Sequence, residues 1–250
     1  MVDLHCHILP EVDDGSKSIE ESIMILKKAE KVGFDTICMT PHYAEPAYMN
    51  TKSQNQEILE NLKKVVHQQN ISTKLCLGNE IFIAQNIENL LQKGEIASLE
   101  NSQYALIELP MFQELPQEIV QKMLDAVKKK GFRVVIAHPE RYTYLQENPE
   151  KLFDYFDSDI IFQGNYASIL GAYGKDAQKT MKFFLKNKAI DYLSSDVHRI
   201  SRCFYDDFAE IKKKLLKVID EEYFEILSEK NPRLVIENKE IVKEIKNGKE

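Results

Sequence analysis

His5 and His7 stand one residue apart within an apolar run, MVDLHCHILP, and an acidic turn, Asp13-Asp14-Gly15, follows directly. On an extended strand, residues two apart project from one face, so both imidazoles can reach a single point while Cys6 faces away. Two imidazoles with a nearby carboxylate suit a divalent transition-metal ion. A pair of buried, hydrogen-bonded histidines would fit the same pattern, and the rest of the chain has to decide between them.

The elements that must position these residues are read from apolar periodicity. Strand-like runs at 2–8, 36–40, 74–81, 104–109, 133–137, 159–163 and 190–194 alternate with amphipathic stretches at 18–32, 56–69, 116–130 and 176–188. The helix at 18–32 opens on a capping-box pattern, Ser18 with Glu21, and stops at Gly33. This alternation predicts a parallel α/β architecture. A single distorted, TIM-like β/α barrel of about seven parallel strands is favoured over an open sheet, because no glycine-rich dinucleotide turn follows any strand. After Ser201 the pattern is helical, at 204–217 and 221–229, and Asn231-Pro232 is expected to break it before a short segment at 233–236. The reading is one domain, 1–238, and a charged tail, 239–250, expected to fray.

A chain of 250 residues has the size of one such barrel. Net charge is −7, from 33 Lys and Arg against 40 Asp and Glu, which argues against a nucleic-acid or anionic-membrane surface. No apolar run reaches the length of a membrane span, and Met1 leads straight into the first strand without a secretory pattern, so a cytoplasmic protein that does not insert in membranes is expected. Cys6, Cys38, Cys76 and Cys203 form no C-x-x-C pair and read as small buried hydrophobes. The positions six residues after them are Val12, Ala44, Phe82 and Ala209, so the thiolate–arginine spacing of cysteine-based phosphatases is absent. Neither a Gly-x-Ser-x-Gly elbow nor a Walker-type loop occurs.

The informative observation is positional. Thr40-Pro41-His42 closes the second run, Gly78-Asn79-Glu80 the third and Ile107-Glu108-Leu109-Pro110 the fourth. The fifth ends in Ala137-His138-Pro139-Glu140-Arg141 and the seventh in Ser194-Ser195-Asp196-Val197-His198. Metal-capable side chains thus gather at strand C-terminal ends, where a barrel builds its active site. Five of the six histidines lie there; His67, on a polar helix, reads as plain surface. Together with Asp14, Glu80, Glu108 and Asp196 they are too many buried polar groups to satisfy without an ion. Their number exceeds the coordination of one ion, which predicts two or three ions with a bridging carboxylate, Glu80 or Asp196. Manganese, iron and zinc all suit nitrogen and oxygen donors.

Several blocks match a known family: Asp3-Leu4-His5-Cys6-His7-Ile8-Leu9-Pro10 with Val12-Asp13-Asp14-Gly15, Thr40-Pro41-His42, Gly78-Asn79-Glu80-Ile81, Tyr104-Ala105-Leu106-Ile107-Glu108, Ile136-Ala137-His138-Pro139-Glu140-Arg141-Tyr142 and Ser194-Ser195-Asp196-Val197-His198. The chain resembles the PHP (polymerase and histidinol phosphatase) superfamily, and within it the bacterial metal-dependent tyrosine-protein phosphatases of capsule and exopolysaccharide operons. The resemblance implies a PHP-type distorted barrel and a trinuclear, commonly manganese-dependent site with His5, His7, Asp14, His42, Glu80, Glu108, His138, Asp196 and His198 as ligands. It also implies catalytic roles for Arg141 and a second phosphate-holding arginine, Arg202, with Arg199 competing for that place. The implied substrate is phosphotyrosine on the tail of a bacterial tyrosine kinase controlling surface polysaccharide export. A small-molecule phosphatase of the histidinol-phosphate type is the alternative within the superfamily, an inactive metal-binding regulatory module the alternative outside catalysis. No oligomeric state is read from the chain.

The residues themselves can run phosphate-ester hydrolysis. Clustered divalent ions bring a bound water toward a pKa of ~7, allowing in-line attack by metal-bound hydroxide without a phosphoenzyme. Arg141 supplies planar bidentate donors, and a third ion or His198 would stabilise the leaving oxygen. A phenol, of pKa about 10, leaves without a strong general acid. Glu140 is expected to orient a ligand or the arginine. Tyr43, Tyr48 and Phe112 are read either as a stacking wall for an aromatic substrate or as packing at the mouth.

Overall fold

The apolar runs become parallel strands, and two of them are broken in the middle. The structure, a computed structural model, describes residues 1–243. In chain order β1 is Val2–Asp3, α1 Ile19–Lys31, β2 Thr36–Met39, β3 His42–Tyr43, α2 Lys52–Gln68, β4 Lys74–Leu77, β5 Glu80–Phe82, α3 Ile87–Lys93, β6 Tyr104–Glu108, α4 Gln117–Lys129 and β7 Arg133–Ala137. Then come α5 Thr143–Glu147, α6 Lys151–Tyr155, β8 Ile161–Asn165, α7 Lys175–Lys186, β9 Tyr192–Ser194, α8 Phe208–Leu215, α9 Glu221–Glu225 and α10 Asn231–Ile236.

The parallel α/β architecture expected from the sequence is present, its strands hydrogen-bonded in two parallel sheets, β1-β2-β4 and β3-β5-β6-β7-β8-β9. The ladder breaks for identifiable reasons. Pro41, between β2 and β3, has no N–H to give a ladder. Asn79, between β4 and β5, spends its side chain on the gap, donating to the Pro41 carbonyl (2.9 Å) and accepting from Ala97 N–H (2.8 Å). Beyond β1, side-chain oxygens take the backbone donors: Leu4 N–H goes to Ser194 Oγ, His5 N–H to Asp3 Oδ1 and Cys6 N–H to Thr40 Oγ1. The run at 2–8 therefore yields only two strand residues. An isolated parallel bridge, Cys6 with Val197, joins it to the chain beyond β9, with His7 N–H to Val197 O and Asp196 N–H to His5 O at 2.8 Å each.

Strand alternation sorts the side chains into two buried layers. One face, including Ile37, Met39, Ile107, Ile136 and Phe162, packs under the helices. The opposite face carries Val2, Leu4, Cys38, Cys76, Tyr104, Leu106, Val135 and Ile161, closed off by Leu99, Val235 and Ile241. All four cysteines are buried and free, as read from the sequence.

α1 starts where expected, with Ser18 Oγ accepting from Glu21 N–H. α2 starts earlier than the expected 56, because Thr51 and Gln54 form a complete capping box. Two expectations about the C-terminal part are corrected. Asn231-Pro232 does not break the helix: a π turn at Ile226–Lys230 carries α9 into α10, and Pro232 sits in the first turn, where its missing N–H is not needed. The tail does not fray from 239: Ile241 is buried on the inner layer, Lys239 O accepts from Tyr104 Oη (2.6 Å), and Val242 N–H donates to Asn231 Oδ1 (2.8 Å). The remainder of that tail, 244–250, lies outside the described residues.

Candidate metal centre and phosphate cleft

Two residues beyond the inner apolar layer, the same faces turn polar. Glu108 is in phase with Tyr104 and Leu106 on β6, and Glu80 is in phase with Cys76 across Gly78. A Cβ at Gly78 would stand 2.8 Å from Leu99 Cδ2, so a side chain there requires the buried Leu99 to shift. His138 and Asp196 leave their strands in left-handed backbone, φ 32° and 53°, which turns both side chains into the site at a conformational cost of order 1–3 kcal/mol each.

The structure brings together every ligand candidate: His5, His7, Asp14, His42, Glu80, Glu108, His138, Asp196 and His198 all fall in groups whose donor atoms lie within 4.8 Å of one another. His67 stays on the exposed face of α2, away from the cluster. His5 Nε2 and His7 Nε2 face each other at 3.2 Å. Both face Glu80 Oε2 (3.3 and 3.2 Å) and Asp196 Oδ1 (3.4 and 3.5 Å). Glu80 also meets His42 Nδ1 at 3.0 Å and, through Oε1, His138 Nε2 at 2.8 Å. Asp14 Oδ1 lies 3.6 Å from both His42 Nε2 and His198 Nε2.

This spacing fits a metal. Donors about 2.0–2.1 Å from a tetrahedral ion are ~3.4 Å from each other, the separation found among His5, His7, Glu80 and Asp196. Hydrogen bonding accounts for it less well: the ring nitrogens meet at 3.2 Å, so either two N–H donors are crowded together or one nitrogen turns a lone pair toward carboxylate oxygens that can only accept.

Charge is correspondingly tense. Burial, then the Glu80 and Asp196 carboxylates, pushes the Glu108 carboxyl up to about 8. Burial alone would lower His5, but those same two carboxylates outweigh it and lift it to about 9. His138 is pushed down to about 4 by burial and then by the Arg141 guanidinium.

The surroundings hold these rings in place. Asp13, which the sequence reading treated as a turn residue, accepts from His7 Nδ1 (2.7 Å), His42 N–H (2.9 Å) and Gly15 N–H (2.9 Å). Despite burial, the His7 imidazole brings the Asp13 carboxyl down to about 2. Gly15 lies so close over His7 that a Cβ would stand 1.8 Å from the His7 carbonyl oxygen. Asp3 binds His5 N–H, Ser195 N–H and Tyr205 Oη. Glu140 Oε1 accepts from Asn165 N–H and Ser168 Oγ, which ties it to the arginine side through Asn165.

A cleft of about 570 Å³ opens beside the cluster, lined by Asp14, Arg141, Tyr173, Asp196, His198, Arg199, Arg202 and Phe204 among others. Arg141 Nη1 donates to Asp196 Oδ2 at 2.5 Å, and its guanidinium lies 4.5 Å over the Tyr173 ring. Arg199 is occupied, its Nε donating to Glu21 Oε1 at 2.9 Å, whereas Arg202 is exposed and makes no ion pair among the described residues. Tyr48 stacks on His42 (5.6 Å between ring centroids, 17°), Tyr43 is buried with its hydroxyl on Glu45, and Phe112 is 82% exposed.

Fold and site together define a parallel α/β protein built around a candidate polynuclear metal centre with a cationic cleft beside it. Residues 1–237 match the model of the family described as capsular polysaccharide synthesis, CpsB/CapC, and the chain belongs to that family. It is 32% identical over 243 residues to the tyrosine-protein phosphatase YwqE of Bacillus subtilis, covering 97% of this chain and 91% of that one. It is 29% identical over 205 residues to the tyrosine-protein phosphatase CpsB of Streptococcus pneumoniae, covering 80% and 84%. A crystal structure from work on YwqE and CpsB, described as unique metal-dependent tyrosine phosphatases, superposes with a TM-score of 0.89 at 31% identity, covering 98% of this chain and 97% of the other.

Proposed function

We propose that this chain is a metal-dependent protein-tyrosine phosphatase, acting in the cytoplasm on phosphotyrosines of a bacterial tyrosine kinase in capsule or exopolysaccharide synthesis. The observation that carries the reading is the convergence of five imidazoles and four carboxylates beside a cleft lined by Arg141 and Arg202, in a chain related over nearly its whole length to tyrosine-protein phosphatases. We read residues 1–238 as one phosphatase domain and the two sheets as one distorted ring joined through the Cys6–Val197 bridge.

His5, His7, Asp14, His42, Glu80, Glu108, His138, Asp196 and His198 would hold two or three divalent ions, manganese first among them. Such ions supply a water of pKa near ~7 and neutralise charge on the phosphoryl oxygens. Arg141 presents its remaining guanidinium N–H donors to a phosphate in the cleft, its plane held by Asp196 and the Tyr173 ring. Arg202 is the better second phosphate donor, since Glu21 already occupies Arg199. His198 gives its Nδ1–H to the Asp196 carbonyl (2.9 Å), leaving Nε2 as a lone pair, which suits a ligand better than a proton donor to the leaving oxygen. The phenolate leaves as a weak base, of conjugate pKa about 10.

Arg141→Ala tests this. Metal content should stay at the wild-type value while turnover of a phosphotyrosine peptide falls about 10²–10³-fold. A metal-loaded wild type that leaves phosphotyrosine untouched would reject the reading.

A further inference from the structure

Of the seven apolar runs, the one at 159–163 alone delivers no ligand candidate to the cluster. β8 instead points two amides, Gln163 and Asn165, into the cluster, in phase with Ile161 of the apolar layer below, and both are fully buried. Gln163 Oε1 lies 2.8 Å from His5 Nδ1; Gln163 Nε2 donates to Asn165 Oδ1 (2.8 Å); Asn165 Nδ2 donates to Asp196 Oδ2 (2.8 Å).

The direction of this chain is fixed by backbone groups that cannot reverse. The Gly164 carbonyl, an acceptor only, lies 2.8 Å from the nitrogen end of the Gln163 amide. The His138 N–H, a donor only, faces the oxygen end at 3.4 Å. Gln163 can therefore only accept from His5, so Nδ1 must carry a proton and Nε2 is the atom left for the cluster. Asn165, having accepted from Gln163, can only donate to Asp196. That donation and the one from Arg141 both fall on Oδ2, leaving Oδ1 turned toward the imidazoles.

We infer that Gln163 and Asn165 are positioning residues: a one-way amide relay that sets which nitrogen of His5 and which oxygen of Asp196 face the metal centre, and ties that centre to Arg141. This rests on the metal-centre reading above. An amide suits the task because it has one donating and one accepting end, whereas a carboxylate could not donate onward and would add a charge.

The test uses the full chain, stripped with a chelator and titrated with zinc alone against a competing indicator. Gln163→Met preserves volume and removes both amide functions; Gln163→Glu preserves the acceptor toward His5. The relay predicts zinc affinity 10–100-fold weaker in Gln163→Met, as for other partners behind metal ligands, and an intermediate loss in Gln163→Glu, which keeps the acceptor toward His5 but cannot donate to Asn165. Asn165→Leu should weaken zinc binding by a similar factor, and the double variant Gln163→Met/Asn165→Leu no more than the worse single. In zinc-loaded protein, ¹⁵N NMR of His5 should show the proton on Nδ1. A folded Gln163→Met that binds zinc like wild type, or a His5 proton on Nε2, overturns the relay and leaves the phosphatase reading standing. A Gln163→Met that outperforms Gln163→Glu shows a packing role and also overturns it. A wild type that takes up no zinc removes the metal centre itself, and the relay with it.

Discussion

The floor and the rim of this protein are built from the same strands, often two residues apart, and obey opposite rules. Leu106 is buried in one apolar cluster with Val2, Cys38, Cys76 and Val135; Glu108, two residues on, meets His138 and the field of two other carboxylates. The floor stabilises the fold by removing hydrocarbon from water. The rim assembles polar groups whose cost is offset only when a cation joins them, and so depends on the floor to hold it. Fold and chemistry are thereby separable by sequence position along a single strand.

That separation can be broken in order of size. Glu80→Gln strikes the residue touching four imidazoles, so metal affinity should fall by more than the ~100-fold seen for partners behind metal ligands, with phosphotyrosine turnover lost while circular dichroism stays native. Leu106→Ala should do the reverse: unfolding free energy drops by about 2–5 kcal/mol, with metal per folded chain unchanged in a denaturant titration. If Leu106→Ala strips metal at full foldedness, floor and rim are not separable.

A smaller effect comes from pH. In metal-free protein His5 is held up to about 9 and Glu108 up to about 8. In the unfolded chain these groups titrate near ~6.5 and ~4.3. Between pH ~6.5 and about 8 the folded state therefore binds more protons than the unfolded one, and stability falls as pH rises. His138, pushed down to about 4, is neutral in the folded protein but about half protonated in the unfolded chain at pH ~6.5, so it opposes the trend at the lower edge of the window and not near pH 8. The Tm of chelator-treated protein should drop by several degrees over this range. Zinc loading should cancel the drop, because metal binding needs the deprotonated ligands. The smallest effect is expected from His67→Asn: within ±0.5 kcal/mol in stability and unchanged in metal content, since this histidine lies outside the cluster.

What the sequence made legible follows from the same contrast. Each of the nine clustered residues is a His, Asp or Glu at or near the end of an apolar run, an arrangement period-two reading can find. Asp13 was passed over because its neighbour Asp14 filled the expected role. Gln163 and Asn165 were missed because an amide is no metal ligand, although both lie on the inward phase of β8 set by Ile161. The break at Pro41 is local chemistry, but the break after β1 was not legible, since it depends on Ser194 and Thr40 reaching across from distant parts of the chain. Pro232 misled because proline terminates a regular helix, and the π turn that admits it is a tertiary adjustment.

The pairing of the segment after β1 with the chain beyond β9 has a consequence in time. Leu4 and its partner Ser194 are 190 positions apart. At ~5–20 residues per second, roughly 10–40 s of synthesis separate the emergence of the first histidines from that of the strand that completes their surroundings. Through that interval the imidazoles of His5 and His7 are on the nascent chain without Asp196 or His198. The surroundings of His5 are thus completed by a segment made long after it, and all nine donors can come together only once Asp196 and His198 have emerged.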